Sequence, residues 1–376
     1  MNTNEKKSLF HSDGFLTFAA SLICILLGLL VGYVVLFFIN PAGATAAMTA
    51  ILKNFLYFPR PEVAREYFGS TLVKTAPLLM CTLSVLFAYK VGLFNIGASG
   101  QYTVGAGCSL YLALAHHMPW YVCLLAAMIG GGILGAAVGA LKAYRNVTEV
   151  IASIMFNWIS LYLINMLLTG VKESSTTYTG ALRTNNPGAI IPGLGLQNLF
   201  SGNRYVTIAI PLSLIFAFLV WFVMSKTRLG YELKATGFNK NAAKYAGMKE
   251  KKNMILTMFI SGCLAGLGAG FLYLSGIEQW SCAQTNVPGM GFNGIAAAFL
   301  GGLHPIGCVF SAFFIQHITS GGSYVDKMVY ASQISDLILA IIIYFCSFVF
   351  IFKHIMNLRI QKRQAGKTGG KEEKVR

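Results

Sequence analysis

Apolar residues gather in ten runs separated by polar or Gly- and Pro-bearing stretches: Phe15 to Phe38, Thr71 to Tyr89, Ile96 to Ala115, Trp120 to Leu141, Val150 to Thr169, Tyr205 to Met224, Met254 to Ser275, Gly291 to Gly302, Ile306 to Ser320 and Ile334 to Phe352. Several approach the ~20 residues that a helix needs to cross the hydrocarbon layer of a bilayer. The pattern predicts an all-α polytopic membrane protein of about ten transmembrane or partly inserted helices, arranged as two five-segment halves. The eighth and ninth runs are short, rich in Gly and separated only by Leu303, His304 and Pro305, so they also suit a single hairpin. The expected organisation is a tail at 1–14, one transmembrane domain at 15–352 with a polar loop at 225–253, and a basic tail at 353–376.

Composition narrows the class: 55% of residues are hydrophobic and only 11% are charged. A net charge of +16 would suggest a nucleic-acid partner in a soluble protein. Here the amino terminus, Lys90, the Lys142 to Arg145 turn, the Lys226 to Lys252 loop and the carboxyl tail hold most of the 29 Lys and Arg. Cations in loops and tails orient a chain in the membrane, and an even number of crossings keeps both termini on that side, so both are expected in the cytoplasm. Lys6 and Lys7 precede the first run, and Ala44, Thr45 and Ala46 resemble a cleavage site. The apolar core of that run exceeds the ~7–15 residues of a signal sequence, and a retained helix is expected.

Catalytic and metal chemistry find no support. The eight Cys form no Cys-x-x-Cys pair and fall mostly within apolar runs. His116 and His117 stand beside Trp120 at the end of a run, where an interfacial role suits them better than metal binding. There is no Gly-x-Ser-x-Gly or His-Glu-x-x-His motif, and Gly366-Lys367-Thr368 lacks the earlier Gly of a phosphate-binding loop, because Gln361 stands there. The chain is not expected to be an enzyme.

Polar residues inside the apolar runs are the candidate solute path. Phe94-Asn95-Ile96-Gly97 opens the third run and Phe292-Asn293-Gly294-Ile295 the eighth, a weak internal repeat. Gly permits a break or a close helix contact, and Asn can satisfy the backbone groups that a break exposes. Asn95, Gln101 and Asn293 are therefore path candidates, as paired interruptions often line the path of repeat-built transporters. Asn157 and Asn165 lie eight residues apart on the fifth run, within about 80° of each other around a helix. Trp158 offers a flat ring for stacking, although packing explains most membrane aromatics. Gly130, Gly131, Gly132, Gly135 and Gly139 read as a packing face.

Thr227 to Met254 is a basic, Gly-punctuated loop between two long apolar runs. Asn239 can cap a short helix that Gly247 ends. Ala242, Ala243 and Ala246 give it a small-residue face suited to a partner's groove, with Lys240, Lys244 and Lys249 at the rim. A helix lying on the membrane surface is the alternative.

Four stretches together resemble one known family: Gly92 to Gly97 with Gly100-Gln101, Glu149 to Asn157, Gly230 to Met248 and Gly289 to Gly302. They are similar to the membrane permease subunits of ATP-binding-cassette importers of the branched-chain amino acid, simple sugar and nucleoside group, and most like the longer of two permeases in bacterial nucleoside importers. The resemblance covers most of the chain. It implies a bacterial plasma-membrane location and three partners: a second related permease, a cytoplasmic double-cassette ATPase and an extracytoplasmic solute-binding lipoprotein. ATP and Mg would be held by the ATPase, with no cofactor on this chain. It makes the Asn239 to Gly247 segment a coupling helix, with Gly237, Asn239, Ala242, Ala243, Tyr245 and Gly247 as its residues. Nucleosides are the implied solute, simple sugars such as ribose or galactose the alternative. A stand-alone secondary carrier and a structural membrane protein are further alternatives. The outer stretches Asn40 to Ser70 and Lys172 to Asn203 are candidate docking surfaces for the solute-binding protein, while their Pro, Gly and polar content equally fits ordinary extracytoplasmic loops. Trp280 and Cys282 fit no pattern of the family.

Overall fold

The computed structural model describes residues 13–360 apart from Ser332, Ser347 and Phe350. Most of the expected amino-terminal tail and the end of the carboxyl tail, 1–12 and 361–376, lie outside the described residues. The helices in chain order are α1 (Asp13–Ile39), α2 (Ala44–Lys53), α3 (Pro61–Lys90), α4 (Ala98–Ala115), α5 (Trp120–Arg145), α6 (Glu149–Leu168), the short α7 (Leu182–Asn185) and α8 (Leu196–Leu199), then α9 (Ala209–Lys226) and α10 (Arg228–Phe238). They continue with α11 (Lys240–Tyr245), α12 (Glu250–Tyr273), α13 (Gly289–Leu300), α14 (Pro305–Gly322) and α15 (Ile334–Cys346). Every apolar run contains a helix, and no strand is present among the described residues. The fold is all-α and polytopic.

Six helices among the described residues are long and apolar enough to cross a membrane, or seven if α15 and the following helix Ile351–Ile360, bent by 44°, form one span. α4 has the length, at 18 residues, yet carries Ser99, Gln101, Thr103 and Ser109, all buried. Such a helix lies inside a bundle, where other helices rather than lipid meet its polar groups. α13 has 12 residues and so spans about 18 Å, short of the ~30 Å hydrocarbon layer. It forms a hairpin with α14: Gly301 lies against Gly307 and Cys308, and the Ser311 hydroxyl donates to the Ala297 carbonyl at 2.6 Å.

The chain divides into two compact units, Lys53–Ser320 and the segments Met1–Leu52 with Gly321–Arg376. In the first, α3, α4, α5 and α12 make the centre. Gly131, Gly135 and Gly139 recur every fourth residue along α5 and meet the backbone of α12, which answers with Gly262 and Gly266. Small residues let two helix backbones approach closely, the main source of dispersion energy where lipid is as apolar as the side chains. The Gly run is the packing face its spacing predicts. α6 packs on α4, α9 on α3, and α13 on both α3 and α4. In the second unit α1 packs along α15, with Gly28 over Ile342 and Gly32 over Ile338, and the Tyr330 hydroxyl donates to the Asn40 carbonyl at 3.0 Å.

Candidate solute path and coupling element

The chain between α3 and α4 is not helical, and the amides of Val91, Gly92 and Leu93 all turn back to the carbonyls of Ala88 and Tyr89 at 3.0 Å. Gly92 takes φ +73, a left-handed conformation that ends the helix and suits Gly. The turn delivers Asn95 into the protein interior, fully buried. Its Nδ2 donates to Gln101 Oε1 at 2.7 Å, while Gln101 Nε2 donates back to Asn95 Oδ1 at 3.1 Å. The same Nδ2 lies 2.7 Å from Ser261 Oγ and 3.0 Å from Ser84 Oγ, and Ser261 Oγ also donates to the Ser84 carbonyl at 2.7 Å. One amide therefore ties α3, α4 and α12 together.

Asn157 holds the same break from α6. Its Oδ1 accepts from the Gly100 amide at 2.8 Å and its Nδ2 donates to the Ile96 carbonyl at 3.1 Å. The first amides of any helix lack intrahelical acceptors, so this side chain satisfies one that α4 leaves open. Of the sequence-predicted path residues the structure brings together Asn95, Gln101 and Asn157, all bonded to protein in this conformation. Trp158 instead stands on an exposed face of α6, stacked on Tyr162 with ring centres 6.3 Å apart. Asn293 is half-buried within α13, so the two repeat copies differ: one Asn precedes its helix, the other is inside. The second copy still meets the first, because Gly291 packs on Ser99 of α4 and Gly294 on Cys81 of α3.

The candidate coupling element begins where Thr227 Oγ1 accepts from the Gly230 amide at 3.2 Å, capping α10. Asn239 Oδ1 accepts from the Ala242 amide at 3.0 Å and starts α11, and Gly247 ends it at φ +78. Thr236 Oγ1 accepts from Asn253 Nδ2 at 2.9 Å, fastening the element to α12. Gly237 lies on the backbone of Val91 and Gly92, with no room for a side chain. The expected small-residue face is changed in one respect. Ala243 is turned inward and buried, whereas Phe238 is 97% and Tyr245 93% exposed. These two rings are the most prominent apolar surface of the element.

Residues 67–347 match the family described as branched-chain amino acid transport system / permease component. The chain belongs to this family. It is 33% identical over 304 residues to the guanosine ABC transporter permease protein NupP of Bacillus subtilis (strain 168), covering 80% of this chain and 86% of that one. Identity is 32% over 296 residues to the nucleoside ABC transporter permease protein NupB of Lactococcus lactis subsp. cremoris (strain MG1363), covering 76% and 80%. The glucose ABC transporter permease protein TsgB13 of Haloferax volcanii is 27% identical over 328 residues, covering 82% and 85%. No solved structure matches the chain. The stretch shared with the permease family holds the whole Asn95 cluster and the whole Thr227–Gly247 segment, and leaves α1 and α2 outside it.

Within the same stretch lies a cluster that sequence patterns missed, at the end of α12 opposite the coupling element. Asn165 Oδ1 accepts from Trp280 Nε1 at 2.9 Å, and its Nδ2 donates to the Gln284 carbonyl at 2.8 Å. Trp280 is fully buried, its ring 5.7 Å from that of Tyr273. The Thr179 amide donates to the Trp280 carbonyl at 2.9 Å, and the Cys282 amide to the Thr177 carbonyl at 2.8 Å. The signal in the sequence was a lone Trp among polar residues, whose indole N–H needs an acceptor when buried.

Proposed function

We propose that this chain is a permease subunit of an ATP-binding-cassette importer of nucleosides. The observation that carries the reading is the contact of Gly237, in the coupling element, with the Val91–Gly92 turn that leads directly into Asn95. A movement imposed on α10 from outside is passed by that contact to the amide cluster joining α3, α4 and α12. The similarity to NupP and NupB supports nucleosides as the solute.

In this reading the 225–253 loop faces the cytoplasm, both termini lie on its side, and the cations concentrated there orient the chain. Phe238 and Tyr245 enter a groove of a cytoplasmic double-cassette ATPase, which binds ATP and Mg. A second, related permease completes the bundle, and an extracytoplasmic solute-binding lipoprotein delivers the nucleoside. Asn95, Gln101, Asn157 and Asn293 line the path once the helices part, and their amides then trade protein partners for the hydroxyls and ring nitrogens of the solute. Coupling requires the ATPase to bind the closed and open arrangements with different free energies. The likeness to TsgB13 favours a second reading, import of a simple sugar, on the same architecture.

The experiment is uptake of labelled guanosine, adenosine, uridine and ribose by cells with and without this chain. Loss of nucleoside uptake supports the first reading, and loss of ribose uptake alone moves the chain to the sugar branch. Unchanged uptake of all four in cells lacking any redundant system overturns both.

A further inference from the structure

α6 packs on α4 through one face and leaves the other open. Toward α4 it turns Ser153, Asn157 and Ile164, which meet Gly97, Gly100 and Gly107. On the open side Ile151, Met155, Trp158, Tyr162 and Met166 follow one another at spacings of three or four residues, a single stripe along the helix, and all five are exposed. Trp158 is 44% and Tyr162 58% exposed, and their rings are stacked with 24° between the planes. Among the described residues neither the indole N–H of Trp158 nor the Tyr162 hydroxyl has a hydrogen-bond partner.

The depth of this pair argues against lipid. Ser160 is the midpoint of the apolar span Glu149–Val171, and Trp158 and Tyr162 flank it, each about 3 Å away along the axis. Trp and Tyr settle at the two membrane interfaces, where the ring lies in hydrocarbon and the polar tip is wet; at the centre the tip meets no water. α5 and α9 follow that rule. The exposed tyrosines of α5, Tyr121 and Tyr144, stand at its two ends, and the exposed middle of α9 is Leu214, Ile215, Phe218 and Leu219. The stripe does not suit a neighbouring helix either. The α5–α12, α1–α15 and α4–α6 contacts are all made over glycine, whereas every exposed residue of α6 is Ile, Leu, Met, Trp or Tyr. What fits is a ligand flat enough to lie on the rings and polar at its edge, where it can accept from the indole N–H and the phenol O–H. A nucleobase has both properties, and a bare sugar has no π face. Met155 and Met166, on either side of the pair, are flexible and polarisable and adapt to rings of different size.

We propose that Trp158 and Tyr162 form a platform on which the base of the translocating nucleoside stacks at the middle of the membrane. The inference rests on the nucleoside-importer reading and adds to it the residues that separate base-bearing solutes from sugars. Asn157 fastens the same turn of α6 to the Gly100 amide and the Ile96 carbonyl, so the platform is tied to the break that holds Asn95. Every base has a π face, and the platform therefore holds purine and pyrimidine nucleosides alike. A base held there is kept from returning outward while the helices rearrange.

The test uses the assembled importer in proteoliposomes, with uptake of labelled guanosine and uridine measured per ATP hydrolysed. Trp158→Leu should lower both about tenfold, the scale of losing one base–aromatic stack, and Trp158→Phe, which keeps a ring, should recover to within about threefold of wild type. Leu and Phe both suit a lipid-facing position, so a difference between them reports stacking and not insertion. Phe218→Leu, on the exposed face of α9, should change neither uptake. A light-activated benzophenone amino acid in place of Tyr162 then identifies what lies against the stripe. In at least one of the ATP-free, ATP-bound and vanadate-arrested states it should capture labelled guanosine, and excess unlabelled guanosine should prevent the capture. Capture of a second permease or of lipid, with no labelled guanosine in any state, overturns the platform, as does wild-type uptake by Trp158→Leu. Wild-type vesicles that take up ribose and neither nucleoside overturn the nucleoside reading itself, a failure visible before any variant is made.

Discussion

The side-chain amides of Asn95 and Gln101 donate to each other, at 2.7 Å in one direction and 3.1 Å in the other. Both are fully buried, so neither has water to fall back on. Removing Asn95 leaves Gln101 with an unmet donor and acceptor, whereas removing Gln101 strands only Asn95 Oδ1, since Asn95 Nδ2 keeps Ser84 and Ser261, at a cost of about 1–3 kcal/mol for each stranded group. Asn95→Ala and Gln101→Ala should each lower stability by that order. The double variant should cost clearly less than the sum, since the second change strands nothing new. Equilibrium unfolding of the purified protein in detergent checks this, and strictly additive costs would show that the pair is not a unit.

Gly237 and Gly247 are both glycines of the proposed coupling element, yet they should respond oppositely to Ala. A Cβ on Gly237 would overlap the Val91 carbonyl, and backbone rather than a flexible side chain must then move. Gly247 stands in open space at φ +78, where a Cβ costs only about 1–2 kcal/mol of local strain. In proteoliposomes containing the assembled importer, Gly237→Ala should reduce guanosine uptake about tenfold, equivalent to about 1.4 kcal/mol, while ATP hydrolysis continues. Gly247→Ala should retain at least about half of the uptake, a change of less than 1 kcal/mol. Equal loss in both would mean that the contact with Val91 transmits nothing.

How far the fold can be read from the chain depends on what each residue's neighbour is. Helix positions follow from runs of apolar residues, a local property, so all ten runs contain helices. Asn239 and Gly247 are equally local, because a cap and a left-handed stop act within three residues. Asn95 stood out as a polar residue beside a break, but its partners Ser84 and Ser261 come from two other helices and carry no sequence mark of their own. The small side chain of Ala243 suits a partner-facing surface with Ala242 and Ala246, whereas helical phase turns it inward and leaves Phe238 and Tyr245 exposed. Arg183 and Arg204 lie 21 residues apart and meet through the Arg183 bond to the Arg204 carbonyl and through the shared Tyr205 ring, contacts no spacing rule announces.

Phe238 and Tyr245 should matter to assembly and not to folding. Each is almost wholly exposed, so Phe238→Ser and Tyr245→Ser remove little that the isolated chain uses, and thermal stability should shift by no more than about 0.5 kcal/mol. Aromatic anchors at the centre of an interface commonly carry about 2 kcal/mol or more each. The double variant should therefore lose the ATPase during affinity purification while the wild type retains it. Retention of the ATPase at wild-type yield would assign docking to other parts of the loop.

Trp280 is pinned to α6 by its bond to Asn165, at the end of α12 opposite α10 and α11, and Cys282, two residues on, provides a reporter. Burial lifts the Cys282 thiol above its ordinary value, with Lys172 pulling the other way, so little thiolate is present at neutral pH. Trp280→Phe keeps an aromatic ring but deprives Asn165 Oδ1 of its donor, costing about 1–3 kcal/mol and loosening the bonds from Thr179 to Trp280 and from Thr177 to Cys282. With the loop loosened, Cys282 loses part of its desolvation and its thiolate fraction rises. A maleimide that cannot cross membranes, added outside cells, should then label Cys282 about tenfold faster in Trp280→Phe than in wild type, corresponding to about 1.4 kcal/mol in the opening equilibrium. The other seven cysteines all lie within helices, and all but Cys108 are buried, so the background is low, and Cys282→Ser should abolish the faster signal. Because the reagent acts only from outside, labelling also reports which way the chain is inserted. If Cys282 is modified only after the cells are opened, this end faces the cytoplasm and the orientation drawn from the cation distribution is reversed.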